Sequence, residues 1–157
     1  MIKKILILFL ATLVFVITSV VYNYLVAQKA IRETKTSVLF TDLTSYPETL
    51  VSGNKGTFFW TVQTPNDLDT SYTTIYWSYE STPSALTVYD EPSSVGYNNH
   101  TTDYLTGKFK LPDTFNSQIQ FDLPGKVYYR SYAKVRDQNL WSKEYTLIVE
   151  PNINVKK

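Results

Sequence analysis

The stretch LPGKVYYRSYAKVRDQNLWSKEYTLIVE, Leu123 to Glu150, decides the fold class. Val127, Tyr129, Ser131, Ala133 and Val135 alternate with Tyr128, Arg130, Tyr132, Lys134 and Arg136, and a period of two sustained this long belongs to a β-strand with one apolar face. Pro124-Gly125 punctuates its start, and Asp137-Gln138-Asn139 reads as the turn that ends it. A second strand follows from Trp141 to Val149, with Tyr145, Leu147 and Val149 aligned on one side. The pair forms a hairpin whose outer face is tyrosine and cation.

Working outward, the same period recurs. GTFFWTVQTP places Phe58, Trp60 and Val62 on one face and stops at Pro65. SYTTIYWSYE sets Thr73, Ile75, Trp77 and Tyr79 against Thr74, Tyr76 and Ser78, and Pro83 limits it. Upstream, SVLFTDL and ETLVSGNKG frame a first strand that ends in a turn around Gly53-Asn54-Lys55-Gly56. The middle offers three shorter candidates, Ala85–Tyr89, Gly107–Leu111 and Ser117–Leu123. About seven strands with frequent turns and no helical period predict an all-β antiparallel sandwich over residues 38–151, with a tail at 152–157.

The amino terminus is different. After Lys3 and Lys4, no charge occurs from Ile5 to Gln28, and the run is apolar to Tyr22. Crossing the hydrocarbon core takes roughly 20 residues, whereas a cleaved signal core is shorter, about 7–15. No small-x-small site ends the run cleanly. Residues 1–27 are therefore expected to be one transmembrane helix, an uncleaved signal-anchor touching lipid through residues 5–27, with residues 28–37 as a juxtamembrane linker. Lys3 and Lys4 nearly balance Lys29, Arg32 and Lys35. The short basic amino terminus and the Tyr- and Thr-rich remainder give an N-in, C-out orientation, with the β-domain extracytoplasmic.

Trp60 with Pro65, the aromatics Tyr76, Trp77 and Tyr79, and the turn Leu123-Pro124-Gly125 leading to Tyr128 together resemble the fibronectin type III and immunoglobulin-like superfamily. The resemblance spans Val38 to Pro151 and implies a two-sheet sandwich. In that family the tyrosine after the turn and the residues two and four beyond it face the core, which would bury Arg130 and Tyr132. Alternation opposes this, because an unpaired buried arginine is costly and the odd-numbered positions form the better core face. Either a bulge shifts the parity after Tyr128, or Tyr129 takes the anchoring role. With Tyr128, Arg130, Tyr132 and Lys134 on the outside of a sheet, they are either cross-strand and cation–π stabilisers or a recognition surface. We take these four as the candidate binding residues.

Composition narrows the chemistry. The net charge of +1 gives no electrostatic argument for nucleic acid, and the absence of cysteine excludes disulfides, thiol catalysis and thiolate metal sites. His100 is the one histidine. It sits in the polar loop GYNNHTTDY, without the nucleophile elbow or oxyanion segment that a hydrolytic triad needs, so no catalytic residue is expected. Asp67 with Asp69, and Asp90 with Glu91, show no ordered calcium-ligand series, so neither metal nor cofactor is expected. Asn99-His100-Thr101 matches the N-glycosylation acceptor. Trp141-Ser142 is not repeated as in cytokine-receptor sandwiches.

These readings predict a single-pass cell-surface protein whose sandwich is a binding or structural module for a protein or glycan. The alternatives are a non-catalytic subunit of a larger membrane complex, and an accessory carbohydrate-binding domain of a surface hydrolase using aromatics such as Tyr72, Tyr97 and Tyr104.

Overall fold

A computed structural model describes residues 16–26, 39–65 and 67–153. The chain divides into two units, Met1–Val38 and Leu39–Lys157. In the first, residues 16–26 are helical, and Val16, Ile17, Val20, Val21 and Leu25 are exposed. Among the described residues, no helix is long and apolar enough to cross a membrane. The expected anchor over 1–27 falls largely outside the described residues, as do the linker 28–37 and the end of the tail.

The second unit is a β-sandwich. Its strands are β1 (Phe40–Ser45), β2 (Thr49–Val51), β3 (Lys55–Gln63), β4 (Leu68–Ser78), β5 (Asn99–His100), β6 (Phe109–Leu111), β7 (Asp113–Gln120), β8 (Gly125–Val135), β9 (Gln138–Trp141) and β10 (Tyr145–Glu150). One sheet has the order β1-β3-β7. The other runs β2-β10-β8-β4-β5, with β6 also on β4 and β9 also on β8. The chain passes back and forth between the sheets, β1 to β4 alternating, β4–β6 and β8–β10 each staying in the second sheet and β7 returning to the first, which makes a two-sheet sandwich. The first strand departs from the expectation by splitting. After Pro47 the chain leaves β3 and, as β2, pairs parallel to β10. Gly56 permits that crossing, since a Cβ there would lie 2.6 Å from the Leu50 Cδ1 and 2.9 Å from the Pro47 Cγ.

Between the sheets lie Phe58, Trp60, Val62, Ile75, Phe115, Phe121, Val127, Tyr129, Ala133, Val135, Leu147 and Val149. The alternating positions of β3 and β8 named from sequence are thus core. Hydrogen bonds across the interior satisfy most of its polar side-chain atoms, the Tyr129 hydroxyl being the exception among the described residues. The Trp60 indole donates to the Thr73 hydroxyl at 2.8 Å, and the Thr41 hydroxyl to the Ser131 hydroxyl at 3.0 Å.

Four further sequence expectations need correction. Residues 85–89 form no strand. The strand expected at Ser117–Leu123 is β7, which begins at Asp113 and ends at Gln120. The closing strand expected from Trp141 to Val149 is two pieces, both laid on β8. Between them, Ser142 replaces part of the ladder, its backbone amide donating to the Ser131 carbonyl at 3.0 Å while its hydroxyl accepts from the Ser131 amide at 2.9 Å. The β8–β9 turn falls at Arg136-Asp137, one residue earlier than expected, with Arg136 at φ 54°.

Candidate functional site

From Tyr72 onward the even-numbered residues of β4 stand beside the even-numbered residues of β8 on the face turned away from the main core. The register pairs Tyr72 with Lys134, Thr74 with Tyr132, Tyr76 with Arg130, and Ser78 with Tyr128. The pairing of β8 with β9 and β10 proceeds without a register shift. The β4–β8 ladder shifts once, on β4 between Thr70 and Tyr72, but β8 keeps its own parity from Tyr128 to Val135, and Tyr129 is the core tyrosine. The four candidate binding residues therefore do share the face assigned to them.

That face is not open. Arg130 and Tyr132 are each 2% exposed, and Tyr128 and Lys134 are half-buried. What covers them is the first part of the crossover from β4 to β6, residues 80–97, which folds back over the sheet. Tyr76, Val95, Tyr97 and Tyr132 form a second buried cluster, with Tyr72, Leu86, Tyr128 and Trp141 packed against it. The rings meet mostly edge-on or tilted, as their quadrupoles favour. Tyr132 lies 4.5 Å from Trp141, 5.4 Å from Tyr72 and 5.6 Å from Tyr76, centroid to centroid.

Arg130 is buried because four of its N–H bonds are satisfied. Its Nε donates to the Tyr97 hydroxyl at 2.8 Å and its Nη1 to the Ser142 carbonyl at 2.8 Å. Its Nη2 donates to the carbonyls of Thr82 and Ser84 at 2.7 and 2.9 Å. The costly unpaired guanidinium assumed in the sequence argument does not arise, since backbone carbonyls of an irregular segment need donors as much as the guanidinium needs acceptors. The Tyr97 hydroxyl passes the contact on, donating to Glu144 Oε1 at 2.6 Å, where the Thr82 amide also donates at 2.7 Å. Ser81 donates to Glu144 Oε2 at 2.6 Å.

Titration follows from these contacts. Burial pushes the Glu144 carboxyl up, but the donors Ser81, Tyr97 and Thr82, with Arg130 nearby, outweigh it and hold the group below its ordinary 4.5. Burial and the bond to Glu144 raise the Tyr97 phenol.

Other groups singled out from sequence are likewise engaged. The Tyr132 hydroxyl donates to Asn139 Oδ1 at 2.7 Å, and Lys134 Nζ reaches Asn139 Oδ1 at 3.0 Å and Glu91 Oε1 at 3.1 Å. Asp90 Oδ2 accepts from the Thr87 amide and hydroxyl at 2.6 and 2.8 Å, and Asp69 pairs with Lys108 at 3.2 Å. Asp67 and Asp69 line a shallow cleft of about 450 Å³ with Lys110 and Pro112. His100 is exposed, its Nδ1 2.9 Å from the Thr101 carbonyl. Asn99, exposed on β5, donates weakly to the Trp77 carbonyl at 3.4 Å. Of the aromatics proposed for glycan contact, Tyr97 is buried and Tyr72 and Tyr104 are half-buried in the two cores.

The side chain sequence reasoning passed over is Tyr89. It is 89% exposed on the covering crossover, between Val88, whose carbonyl accepts from the Asn139 amide at 3.2 Å, and Asp90, whose carbonyl accepts from the Trp141 indole at 2.9 Å. A large ring held out from a segment tied down on both sides has little freedom left to lose. Its signal was the lone aromatic in a polar run, SALTVYDEPSS.

No family model matches the chain, and no curated protein matches it. Among solved structures, the PKD domain of an M14-like peptidase from the Thermoplasmatales archaeon SCGC AB-540-F20 is similar, at 13% identity and a TM-score of 0.48, over 71% of this chain and 93% of that one.

Proposed function

We propose that the chain is a single-pass, membrane-anchored extracytoplasmic module, non-catalytic, that binds a protein or glycan at the cell surface through its covering crossover. The observation that carries this reading is the use made of Arg130, which is spent on the backbone carbonyls of Thr82 and Ser84 and on Tyr97. A segment ordered before it meets a partner loses less entropy on binding, so rigid display of Tyr89 favours recognition. In this reading Arg130 and Tyr132 act from beneath, while Tyr128 and Lys134 border the site. Asn99, exposed on β5, is the glycosylation acceptor in this reading. Support for the anchor is the uncharged run from Ile5 to Gln28 and the exposed apolar side chains of residues 16–26.

The test uses the full chain expressed in its own membrane. Protease added from outside should digest the sandwich while leaving a membrane-held amino-terminal fragment. Partner recovery after solubilisation should fall at least severalfold with Tyr89→Ser, a surface change that leaves the thermal midpoint in place. Equal recovery from parent and variant would remove the crossover as the binding site, and a chain found in the soluble fraction would remove the anchor.

A further inference from the structure

Natural sheets protect their outer strands by keeping them short, bulging them, or placing charge or proline on them, because an unpaired row of N–H and C=O groups is a template for another strand. All but one of the outer strands among the described residues are protected in that way, β9 among them at four residues. β2, β5 and β6 are three, two and three residues long. β1 carries a register shift between Leu43 and Ser45, and Asp42 lies within it. β7 is the exception. It is eight residues long, and its ladder to β3 runs from Asp113 to Gln120 without a shift. Among the described residues it pairs with no strand on its other side.

Along β7 from Thr114 onward the side chains shown to solvent are Thr114, Asn116, Gln118 and Gln120, all uncharged, and the one exposed charge of the strand is Asp113 at its start. From these observations we propose that β7 is a self-association edge, at which a second copy of this chain adds its own β7 antiparallel and doubles the β1-β3-β7 sheet. A second copy is the fitting occupant because the arrangement is isologous. With Ser117 on the two-fold axis, Asn116 stands opposite Gln118 and Thr114 opposite Gln120, so amides and hydroxyls meet amides and no like charges face each other on this side. Asp113 falls outside the paired span. Two carboxylates touch the strand from beside it, Asp122 accepting from Gln120 Nε2 at 2.8 Å and Asp103, next to the axis, accepting from the Ser117 hydroxyl at 2.5 Å on the inner side. Association brings the Asp103 carboxylates of both copies toward the axis, which tempers it.

The chain contains no cysteine, so introduced thiols report without background. Full-length Asn116→Cys and Gln118→Cys, mixed in mild detergent and gently oxidised, should give a cross-linked dimer in excess of either variant alone and of a Tyr89→Cys control. In sedimentation, Asn116→Glu combined with Gln118→Glu sets carboxylates opposite one another and should weaken the dimer about tenfold or more. Asp103→Asn should tighten it. These four exposed positions leave the fold intact, so the result reads the seam itself. A chain that sediments as a monomer at the highest attainable concentration overturns the proposal. So does a dimer that shows no excess of the mixed cross-link or that ignores the paired glutamates.

Discussion

On the inner side of β8, Val127, Tyr129, Ala133 and Val135 pack against the facing sheet. On the outer side, one residue out of step, Arg130 and Tyr132 are as deeply buried, yet what lies over them is a crossover almost without regular structure. A facing sheet brings its own hydrogen-bond ladder, so apolar contact is enough to hold it. An irregular segment brings carbonyls that no ladder satisfies. The outer layer therefore needs a polar fastening, and a single guanidinium supplies donors to three carbonyls and a phenol at once. One strand thus supports two cores built on different chemistry.

The harshest way to break this comparison is to remove the centre of each side. Trp60→Ala, within the inner core, should cost about 3–5 kcal/mol in denaturant unfolding and take the whole sandwich with it. Arg130→Met should cost about 2–4 kcal/mol, because acceptors on Thr82, Ser84 and Ser142 lose their donor. Its loss should be local first. Limited proteolysis between Glu80 and Gly107 should quicken while inner-strand amides keep their hydrogen-exchange protection, and equal loss of protection on both sides would show the layers to be one cooperative unit.

A gentler change sharpens the contrast by giving opposite signs. The Tyr129 hydroxyl is buried and has no hydrogen-bond partner among the described residues, whereas that of Tyr132 is bound to Asn139. Tyr129→Phe should be neutral or stabilising by up to about 1 kcal/mol, while Tyr132→Phe should destabilise by about 1 kcal/mol, both read from denaturant midpoints. Two losses of the same size would mean that the Tyr129 hydroxyl is satisfied after all.

The smallest effect is in pH. Glu144 sits below its ordinary 4.5 in the folded chain, so the stability it adds is full above that value and drains away as pH falls through the folded pKa. Glu144→Gln should flatten the stability profile below about pH 5 and leave the inner core's acid response as it was. A mutant whose acid profile overlays the parent's would exclude this carboxylate from the fastening.

Much of the inner layer was legible in the sequence. Alternation marked Phe58, Trp60 and Val62 on β3 and the odd positions of β8, because a sheet's core face leaves a period of two in the residue types. The outer layer left no such trace. Its cover is a run of Ser, Thr, Pro and Asn without period, and Arg130 is held mainly by backbone carbonyls, which every residue carries and no residue type announces. Leu86, Val95 and Tyr97 within that polar run, with Trp141 nearby in sequence, were the available hints. Tyr128, Arg130, Tyr132 and Lys134 were correctly grouped on one face, but their exposure depended on a segment whose path only the tertiary structure reveals.

The split of the first strand carries a consequence for tension. Because β2 lies parallel to β10, the chain enters the sandwich at Leu39 beside one pole and leaves after Glu150 at the other. A pull between those ends loads the β2–β10 contacts along the strand direction, including Ser52 N to the Glu150 carbonyl at 2.8 Å and Ile148 N to the Glu48 carbonyl at 3.1 Å. Bonds sheared in this way share the force and give way together, whereas bonds pulled open from one end fail in turn. The short β2 patch thus clasps the two ends of the domain against extension along the strands, and itself covers neither sheet's outward surface.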